Sequence, residues 1–330
     1  MVSSSAPQPR SVKSGVLRIV LFFVLLIGVL FLLDAVINTG LRRLTTGPYG
    51  VTNRIVQGRV NAEIIISGSS RALTHYDSSI FEAGTGRSTF NIGINGSQTD
   101  MQLAMLKTYL NHNTKPALVI HNLDLFSFVT THEVYDPAQY LPYLKESPLY
   151  EAIQQYKPGV WKWRHLPLYG YAVEDMRFNW LQGLKGFVGI QPPETHFQGY
   201  NPRHTLWTGE FEAFRASHPE GVTFKIEERG VRLMEELVQV CVTNGIPLIL
   251  VYSPVYSEMQ PLERNRDEIF RRFHLIADPF QVPIEDFSSS PICRDQANFY
   301  NSQHLNVQGA TWFSQELAAR LKAKEFSGRL

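Results

Sequence analysis

The pattern of hydrophobic and polar positions divides the 330-residue chain into an apolar N-terminal run, alternating strands and helices, and one long irregular interval. Five runs have the length of strands, and the first of them has the continuous apolar character of a strand buried in a parallel sheet. They cover residues 62–67, 89–94, 117–123, 248–252 and 282–287. Amphipathic stretches at 99–110, 226–244, 264–277 and 307–322 predict helices. Because parallel neighbours need right-handed helical crossovers, this alternation predicts a three-layer α/β/α sandwich with a five-stranded parallel sheet.

The longest apolar run predicts a transmembrane helix near the N-terminus. Residues 19–33 are apolar without interruption, and residues 16–37 extend the run with Arg18 and Asp34 at its edges. About 22 positions at a rise of ~1.5 Å reach about 33 Å, enough for a hydrocarbon core of ~30 Å. No small-x-small cleavage site follows Leu33, which favours a retained anchor over a cleaved signal peptide.

The predicted organisation is a disordered tail (1–14), an anchor (15–38), a connector (39–60) and one globular domain (61–330). The connector contains Gly, Pro and Asn and is expected to include a short strand or helix. Basic residues flank the anchor on both sides, with a small excess before it. This excess favours a cytoplasmic N-terminus and a periplasmic or extracellular domain. The flanking residues are Arg10, Lys13 and Arg18 before the anchor, and Arg42 and Arg43 after it.

Between about residues 126 and 222 the regular alternation stops, which predicts a large insertion after the third strand. It contains four of the five tryptophans: Trp161, Trp163, Trp180 and Trp207. Two interpretations are compatible with each other. Aromatic side chains can build a core for the insertion itself, or some of them can form a stacking platform for sugar rings beside the active site.

Composition and cysteine count exclude several classes of protein. A formal net charge of +1 provides no broad basic field for nucleic acid. Cys241 and Cys293 allow one disulfide, although a buried free thiol is the simpler interpretation for Cys241 on an apolar helix face. His75, His121 and His304 lack the spacing of metal ligands, and no Walker or dinucleotide glycine loop is present. We therefore expect no metal or cofactor.

Two segments carry candidate chemistry. Gly68-Ser69-Ser70-Arg71 ends the first predicted strand, and Asn301-Ser302-Gln303-His304 precedes the last predicted helix. In a parallel α/β sheet these positions meet at the carboxyl edge, as a serine nucleophile and its histidine must. The alternative for Ser69 and Ser70 is a structural one, since serine is a preferred helix N-cap.

Together these segments resemble the SGNH (GDSL-type) hydrolase superfamily, in particular its membrane-anchored bacterial branch. That branch includes alginate O-acetyltransferase proteins and the D-alanine transfer protein of teichoic acids. The resemblance covers about residues 62–123 and 226–321 and implies a flavodoxin-like fold. It also implies that Ser70 is the nucleophile and His304 the base. The family usually has aspartate three residues before the histidine, where this chain has Asn301.

The resemblance further implies an oxyanion hole formed by the backbone N–H groups of Ser70 and Gly93 and by an asparagine side chain. In the third motif the chain reads His121-Asn122-Leu123-Asp124. Aligning Asp124 with the acid of the family puts Leu123 at the asparagine position. Asn122 is the remaining candidate donor, although an adjacent strand residue should face the opposite way.

Other roles remain open from the sequence. Arg71 is a candidate for binding an anionic or carbonyl group at the mouth of the site, or for pairing within the fold. Asp124 is a candidate for the substrate pocket or for capping the insertion. Asn301 has three interpretations: a reaction that tolerates a weaker base, compensation by Asp286 or Asp295, or a site that has lost its chemistry.

The resulting expectation is a membrane-tethered acyl-ester enzyme, either an O-acyltransferase or an esterase. It would act on a cell-surface polysaccharide through an acyl group held on Ser70. A multi-pass membrane acyltransferase is the expected partner. The alternative is a catalytically impaired carbohydrate-binding or scaffold protein of a polysaccharide-modification complex.

Overall fold

A parallel five-stranded sheet lies at the centre of the computed structural model, which describes residues 12–130, 133–173 and 177–326. Its strands are β1 (Ile64–Ser67), β2 (Thr89–Asn91), β3 (Leu118–Asn122), β4 (Leu248–Tyr252) and β5 (Ile284–Asp286). They pair in the order β2-β1-β3-β4-β5, all parallel. The first four strands are fully buried, which explains why apolar residues predominate in β1, β3 and β4. The predicted α/β fold with this sheet is confirmed.

Helices cover the two faces of the sheet. The helices of the described chain are α1 (Val12–Leu41), α2 (Gly47–Val56), α3 (Ser70–His75), α4 (Ser78–Thr85), α5 (Thr99–His112), α6 (Ser147–Tyr156), α7 (Val160–His165), α8 (Tyr169–Val173), α9 (Arg177–Phe187), α10 (Glu210–Ser217), α11 (Glu228–Thr243), α12 (Arg266–Ala277) and α13 (Val307–Phe326). Helix α13 packs on α3 and α4, whereas α11 packs on α5 and α12. The chain runs from β1 to β2 at one edge and then returns past β1 to β3, β4 and β5. Because each crossover is right-handed, this reversal puts the helices before and after it on opposite faces of the sheet.

The four predicted helices of the sandwich agree with α5, α11, α12 and α13 to within a few residues at each end. The connector contains α2, which begins beside Pro48. Of the predicted disordered tail, residues 1–11 lie outside the described residues, and α1 begins at Val12. The predicted second strand was too long, because its last apolar residues, Ile92 and Ile94, are buried beyond the end of β2.

The turn after β1 requires glycine. Gly68 has a φ of 143°, and a Cβ there would lie 2.9 Å from the Cβ atoms of both Ala72 and Asn122. The Ser69 side chain then accepts a hydrogen bond from the Arg71 N–H at 3.2 Å and caps α3. Strand, glycine and cap together make Ser70 the first residue of a helix at the carboxyl edge of the sheet.

Residues 126–222 contain α6 to α10 and a core of their own. Tyr140 and Tyr143 are fully buried, and the Tyr143 hydroxyl donates to the Asn53 Oδ1 of α2 at 2.6 Å. Aromatic side chains therefore do build a core here. Cys241 and Cys293 are both buried and free, and burial raises the pKa of Cys241 to about 12 and that of Cys293 to about 11.

Helix α1 packs closely against α9 of the insertion. A Cβ on Gly183 would lie 2.8 Å from the Ile37 backbone oxygen, and a Cβ on Gly186 would overlap the carbonyl of Gly40. Ile37 and Leu41 are buried in the fold, whereas residues 19–33 are apolar and, apart from the half-buried Leu30, exposed. Within the described ranges, Gly15–Leu41 is long and apolar enough to cross a membrane.

We expect Gly183→Ala to lower the midpoint of thermal unfolding in detergent. In an exposed helix, alanine stabilises the folded state by up to ~1 kcal/mol relative to glycine. At a tight contact, however, the extra methyl group destabilises the folded state by about 1–3 kcal/mol. The control is Gly159→Ala in the same insertion, where a Cβ would meet no atom within 4 Å. Intrinsic fluorescence reports both midpoints. An unchanged midpoint in Gly183→Ala would contradict the close packing of α1 on α9.

Candidate active site

Ser70 and His304 meet at the carboxyl edge of the sheet although they are far apart in sequence. The Ser70 Oγ lies 2.8 Å from the His304 Nε2. Ser70 comes from the first turn of α3, and His304 comes from a short antiparallel hairpin just before α13. The hairpin strands are β6 (Phe299–Asn301) and β7 (His304–Leu305), in which Asn301 pairs with His304.

The Asn301 side chain fixes the tautomer of His304. Its Oδ1 lies 3.0 Å from the His304 Nδ1 and accepts the backbone N–H groups of Gln303 at 3.1 Å and His304 at 3.0 Å. An atom that accepts two backbone N–H groups is an oxygen, so the His304 Nδ1 must carry the hydrogen that it donates. The Nε2 is therefore the lone-pair acceptor that faces the Ser70 hydroxyl.

His75 supports the hairpin, and its place at the end of α3 was the only sequence signal for this role. It is fully buried, and its Nε2 accepts the Leu305 N–H at 3.0 Å. Its Nδ1 must then carry a hydrogen, which it donates to the Ser253 Oγ at 2.9 Å. The rings of His75 and His304 lie edge to face, with centroids 6.1 Å apart. His75 thus links the helix of Ser70 to the strand of His304.

The environment of His304 is electropositive. Burial, Arg71 and Arg203 lower the pKa of His304 to about 3. At neutral pH the imidazole is therefore uncharged and able to accept a proton. The same three causes disfavour the imidazolium that forms when it does so. His304 is a correctly placed but weak base.

The acids that could have replaced an aspartate at position 301 are engaged elsewhere. The Asp286 Oδ2 lies 2.6 Å from an Arg266 nitrogen, and Asp295 accepts the Ala297 N–H at 2.9 Å. Within the described chain neither hydrogen-bonds to His304. The geometry therefore gives no support to compensation by these two residues.

The three candidate oxyanion donors differ in their availability. The Ser70 N–H belongs to the first turn of α3, where backbone N–H groups have no intrahelical acceptor. The Gly93 N–H donates to the Asn91 Oδ1 at 2.8 Å. The buried Asn122 donates its amide to the Leu123 carbonyl at 3.0 Å and accepts from Tyr76 at 2.8 Å. An oxyanion role stays a prediction for all three, and Ser70 has the freest geometry.

Arg71 and Asp124, the candidate substrate-binding residues, face each other inside the protein. An Arg71 nitrogen lies 3.3 Å from the Asp124 Oδ1, and both side chains are almost fully buried. Arg71 also donates to the Ser253 carbonyl and lies over the Tyr252 ring, 4.5 Å from its centroid. The structure thus favours pairing within the fold for both residues. Their ion pair connects α3, β3 and β4 beneath the site.

The end of the insertion holds three elements of the site together. The Asn201 N–H donates to Leu73 of α3 at 2.9 Å, and the Thr208 N–H donates to Tyr300 of β6 at 2.9 Å. The Arg203 carbonyl accepts the N–H of the first residue of α13 at 2.9 Å. Tyr300 in turn stacks on the ring of His304, with centroids 5.2 Å apart. Sequence patterns did not reveal these contacts, because the segment has no regular periodicity.

A cavity of about 180 Å³ lies beside the site, lined by Gly93, Asn201 and Arg203 among others. Ser70 and His304 do not line it. The Arg203 Nε is buried and has no hydrogen-bond partner among the described residues. Arg203 therefore offers the cavity a positive charge.

Of the four tryptophans of the insertion, Trp207 is close to this region, because it precedes Thr208 and packs on Tyr256. Trp163 and Trp180 instead lie near α1. Within the residues that the structure describes, no group of three or more His, Cys, Asp or Glu side chains could hold a metal ion.

A scan against models of protein families found no match, and neither did a search of curated proteins. Among solved structures, the chain is similar to a proposed acylhydrolase from Bacteroides fragilis, with 11% identity and a TM-score of 0.36, over 78% of this chain and 87% of that one. It is also similar to a family two carbohydrate esterase from Clostridium thermocellum, crystallised with cellohexaose. That match has 12% identity and a TM-score of 0.25, over 81% of this chain and 65% of that one.

Proposed function

We propose that this protein is a membrane-tethered serine acyl-ester enzyme, an O-acyltransferase or an esterase, that acts on a cell-surface polysaccharide. The observation that carries the proposal is the Ser70 Oγ to His304 Nε2 distance of 2.8 Å, with the His304 tautomer fixed by Asn301. A serine, a histidine acceptor and an orienting side chain in this order are the arrangement that activates a hydroxyl nucleophile.

The reaction follows from this arrangement. The Ser70 Oγ attacks the carbonyl carbon of an acyl ester while its proton passes to the His304 Nε2. The N–H at the start of α3 stabilises the oxyanion. The ester bond breaks, the leaving alkoxide takes the proton back from His304, and the acyl group stays on Ser70. A sugar hydroxyl or water then gives a proton to His304 and attacks the acyl carbon, and the bond from that carbon to the Ser70 Oγ breaks as His304 returns the proton to Ser70.

Transfer and hydrolysis differ only in this second acceptor. Partition of a labelled acyl group between water and an added oligosaccharide separates them. For transfer, a multi-pass membrane acyltransferase is the partner we propose, since it could supply the acyl group across the membrane. The packing of α1 on the insertion is consistent with a domain that works at the membrane surface.

A scaffold or carbohydrate-binding protein is the second candidate, and a specific observation favours it. Asn301 offers no negative charge to an imidazolium, and the pKa of His304 is already lowered to about 3. A protein that had kept the fold and lost its chemistry would tolerate both features. Covalent reaction at Ser70 distinguishes this candidate from either enzyme.

We expect a fluorophosphonate probe to label Ser70 in the intact protein, because its hydroxyl faces an imidazole acceptor. Ser70→Ala should abolish labelling, whereas Ser69→Ala should retain it, since Ser69 caps α3 without contacting His304. Mass spectrometry of the labelled peptide identifies the site. Equal labelling of the wild type and Ser70→Ala would remove Ser70 from its role. Absence of labelling in the wild type, with folding intact, would favour the scaffold.

Asn301→Asp should speed acyl-enzyme formation by one or more orders of magnitude. A carboxylate keeps the three N–H contacts and stabilises the imidazolium, and the loss of such a charge costs about 10⁴ in rate in other serine enzymes. Single-turnover release from an activated ester measures the rate, with Asn301→Ala as the slower control. Three equal rates would exclude Asn301 from the mechanism.

The pH dependence of this series provides an independent check. With the pKa of His304 lowered to about 3, the wild-type rate should be constant from neutral pH down to mildly acidic pH. The aspartate of the Asn301→Asp variant raises that pKa. The rate of this variant should therefore fall as the pH decreases through the new, higher value.

Reporter fusions after Leu330 test the proposed topology. Because α1 is docked on the domain by Ile37 and Leu41, we expect it to be retained and the domain to lie outside the cytoplasm. Alkaline phosphatase should be active and green fluorescent protein dark. Fluorescence without phosphatase activity would put the domain inside and would contradict action on a cell-surface polymer.

A further inference from the structure

A second cavity, of about 270 Å³, lies where α1 meets the insertion, and its lining is distinct from that of the cavity beside Gly93. From α1 and the turn after it, Asp34, Asn38 and Arg42 line it. From the insertion, Lys145 and Arg164 line it. The proposed chemistry at Ser70 uses none of these residues.

The cavity is electropositive. The Arg42 Nε donates to the Pro142 carbonyl at 2.9 Å, which holds the guanidinium at the cavity wall. Lys145 and Arg164 are exposed, and Arg164 lies over the Tyr150 ring, 5.1 Å from its centroid. In the part of the chain that the structure describes, neither Lys145 nor Arg164 has an acidic partner. Three cations thus border the cavity.

Among the described residues, Asp34 is the carboxylate that lines the cavity, and both of its oxygens accept hydrogen bonds. The Asp34 Oδ1 accepts the Leu168 N–H at 2.9 Å, and its Oδ2 accepts the Asn38 amide at 2.8 Å. Asp34 therefore holds the insertion onto α1 and offsets only one of the three positive charges, so the lining stays net positive. An anion is the ligand that this lining would attract.

The position of the cavity along α1 indicates where that anion comes from. The exposed apolar part of α1 ends at Leu33, and the cavity begins with the next residue, Asp34. A hydrocarbon layer around α1 would therefore end just below the cavity. The cations would then lie at the depth of the lipid headgroups.

The insertion exposes apolar side chains at the same depth. Helix α9 runs in the same direction as α1, because Gly183 meets Ile37 and Gly186 meets Gly40. Trp180, one turn before Gly183, thus lies level with the end of the exposed apolar part of α1. This residue is 41% exposed, and tryptophan is enriched at membrane–water interfaces. Further exposed apolar residues of α9 and its neighbours are Leu166, Val173 and Leu181.

We propose that the cavity binds the phosphate headgroup of an anionic phospholipid, with Arg42, Lys145 and Arg164 as its cationic ligands. The acyl chains would lie along the exposed apolar surface of α1. Such a lipid would fix the orientation of the domain relative to the membrane plane. The inference rests on α1 spanning a membrane and is independent of catalysis at Ser70.

The test is lipid binding to the full-length chain in a non-ionic detergent, measured by native mass spectrometry. Phosphatidylglycerol is compared with phosphatidylcholine of the same acyl chains, and we expect the wild type to prefer phosphatidylglycerol. In Lys145→Gln/Arg164→Gln the affinity for phosphatidylglycerol should fall about 25-fold, since each cation near an anionic lipid contributes about fivefold. The affinity for phosphatidylcholine should fall less, because its choline group offsets the charge of the phosphate.

The matched control is Lys162→Gln/Lys185→Gln, which removes two cations from α7 and α9 that do not line the cavity. It should keep the wild-type affinity. Equal losses in both double variants would indicate diffuse attraction and would overturn the site. The absence of any preference for phosphatidylglycerol in the wild type would do the same. Displacement of the lipid by millimolar inorganic phosphate would point to a soluble anion instead.

Discussion

The hydrogen bond between Ser70 and His304 is the contact on which the architecture of the site depends. It joins two residues separated by 234 positions, so it exists only when the first and last elements of the sandwich are assembled. Gly68 lets the chain turn tightly enough to start α3 at Ser70. The hairpin of β6 and β7 brings His304 from the opposite end, and the buried His75 connects the two sides through the Leu305 N–H.

The buried positive charge of Arg71 lies close to this contact and makes His304 a weaker proton acceptor. Arg71 is essential to the packing of three elements beneath the site, yet it also lowers the pKa of His304. An aspartate at position 301 would offset that effect, and Asn301 does not. The result is a histidine held in the right tautomer by geometry rather than by charge. Such a site suits either a slow reaction or one whose substrate supplies the missing stabilisation.

The insertion connects α1 with the site. One part of it packs on α1 through Gly183 and Gly186, and its last part contacts α3, the β6–β7 hairpin and the start of α13. Movement of the domain relative to α1 would therefore disturb contacts around Ser70. The proposed lipid cavity lies at the first of these contacts, at the depth where the headgroups of a membrane would be.

The sequence by itself determined the sheet, its helices and the apolar N-terminal helix, because buried parallel strands and amphipathic helices leave periodic patterns. The pairing of Ser70 with His304 was predicted instead from two short segments and their resemblance to known motifs. The sequence also places Asn301, an uncharged side chain, three residues before His304. Only the tertiary structure decided that Arg71 and Asp124 pair inside the fold, that Gly93 donates to Asn91, and that His75 and Arg203 border His304. These contacts join residues from distant elements at single points. No repeating pattern along the chain predicts them. They form because polar groups that become buried in the fold need hydrogen-bond partners.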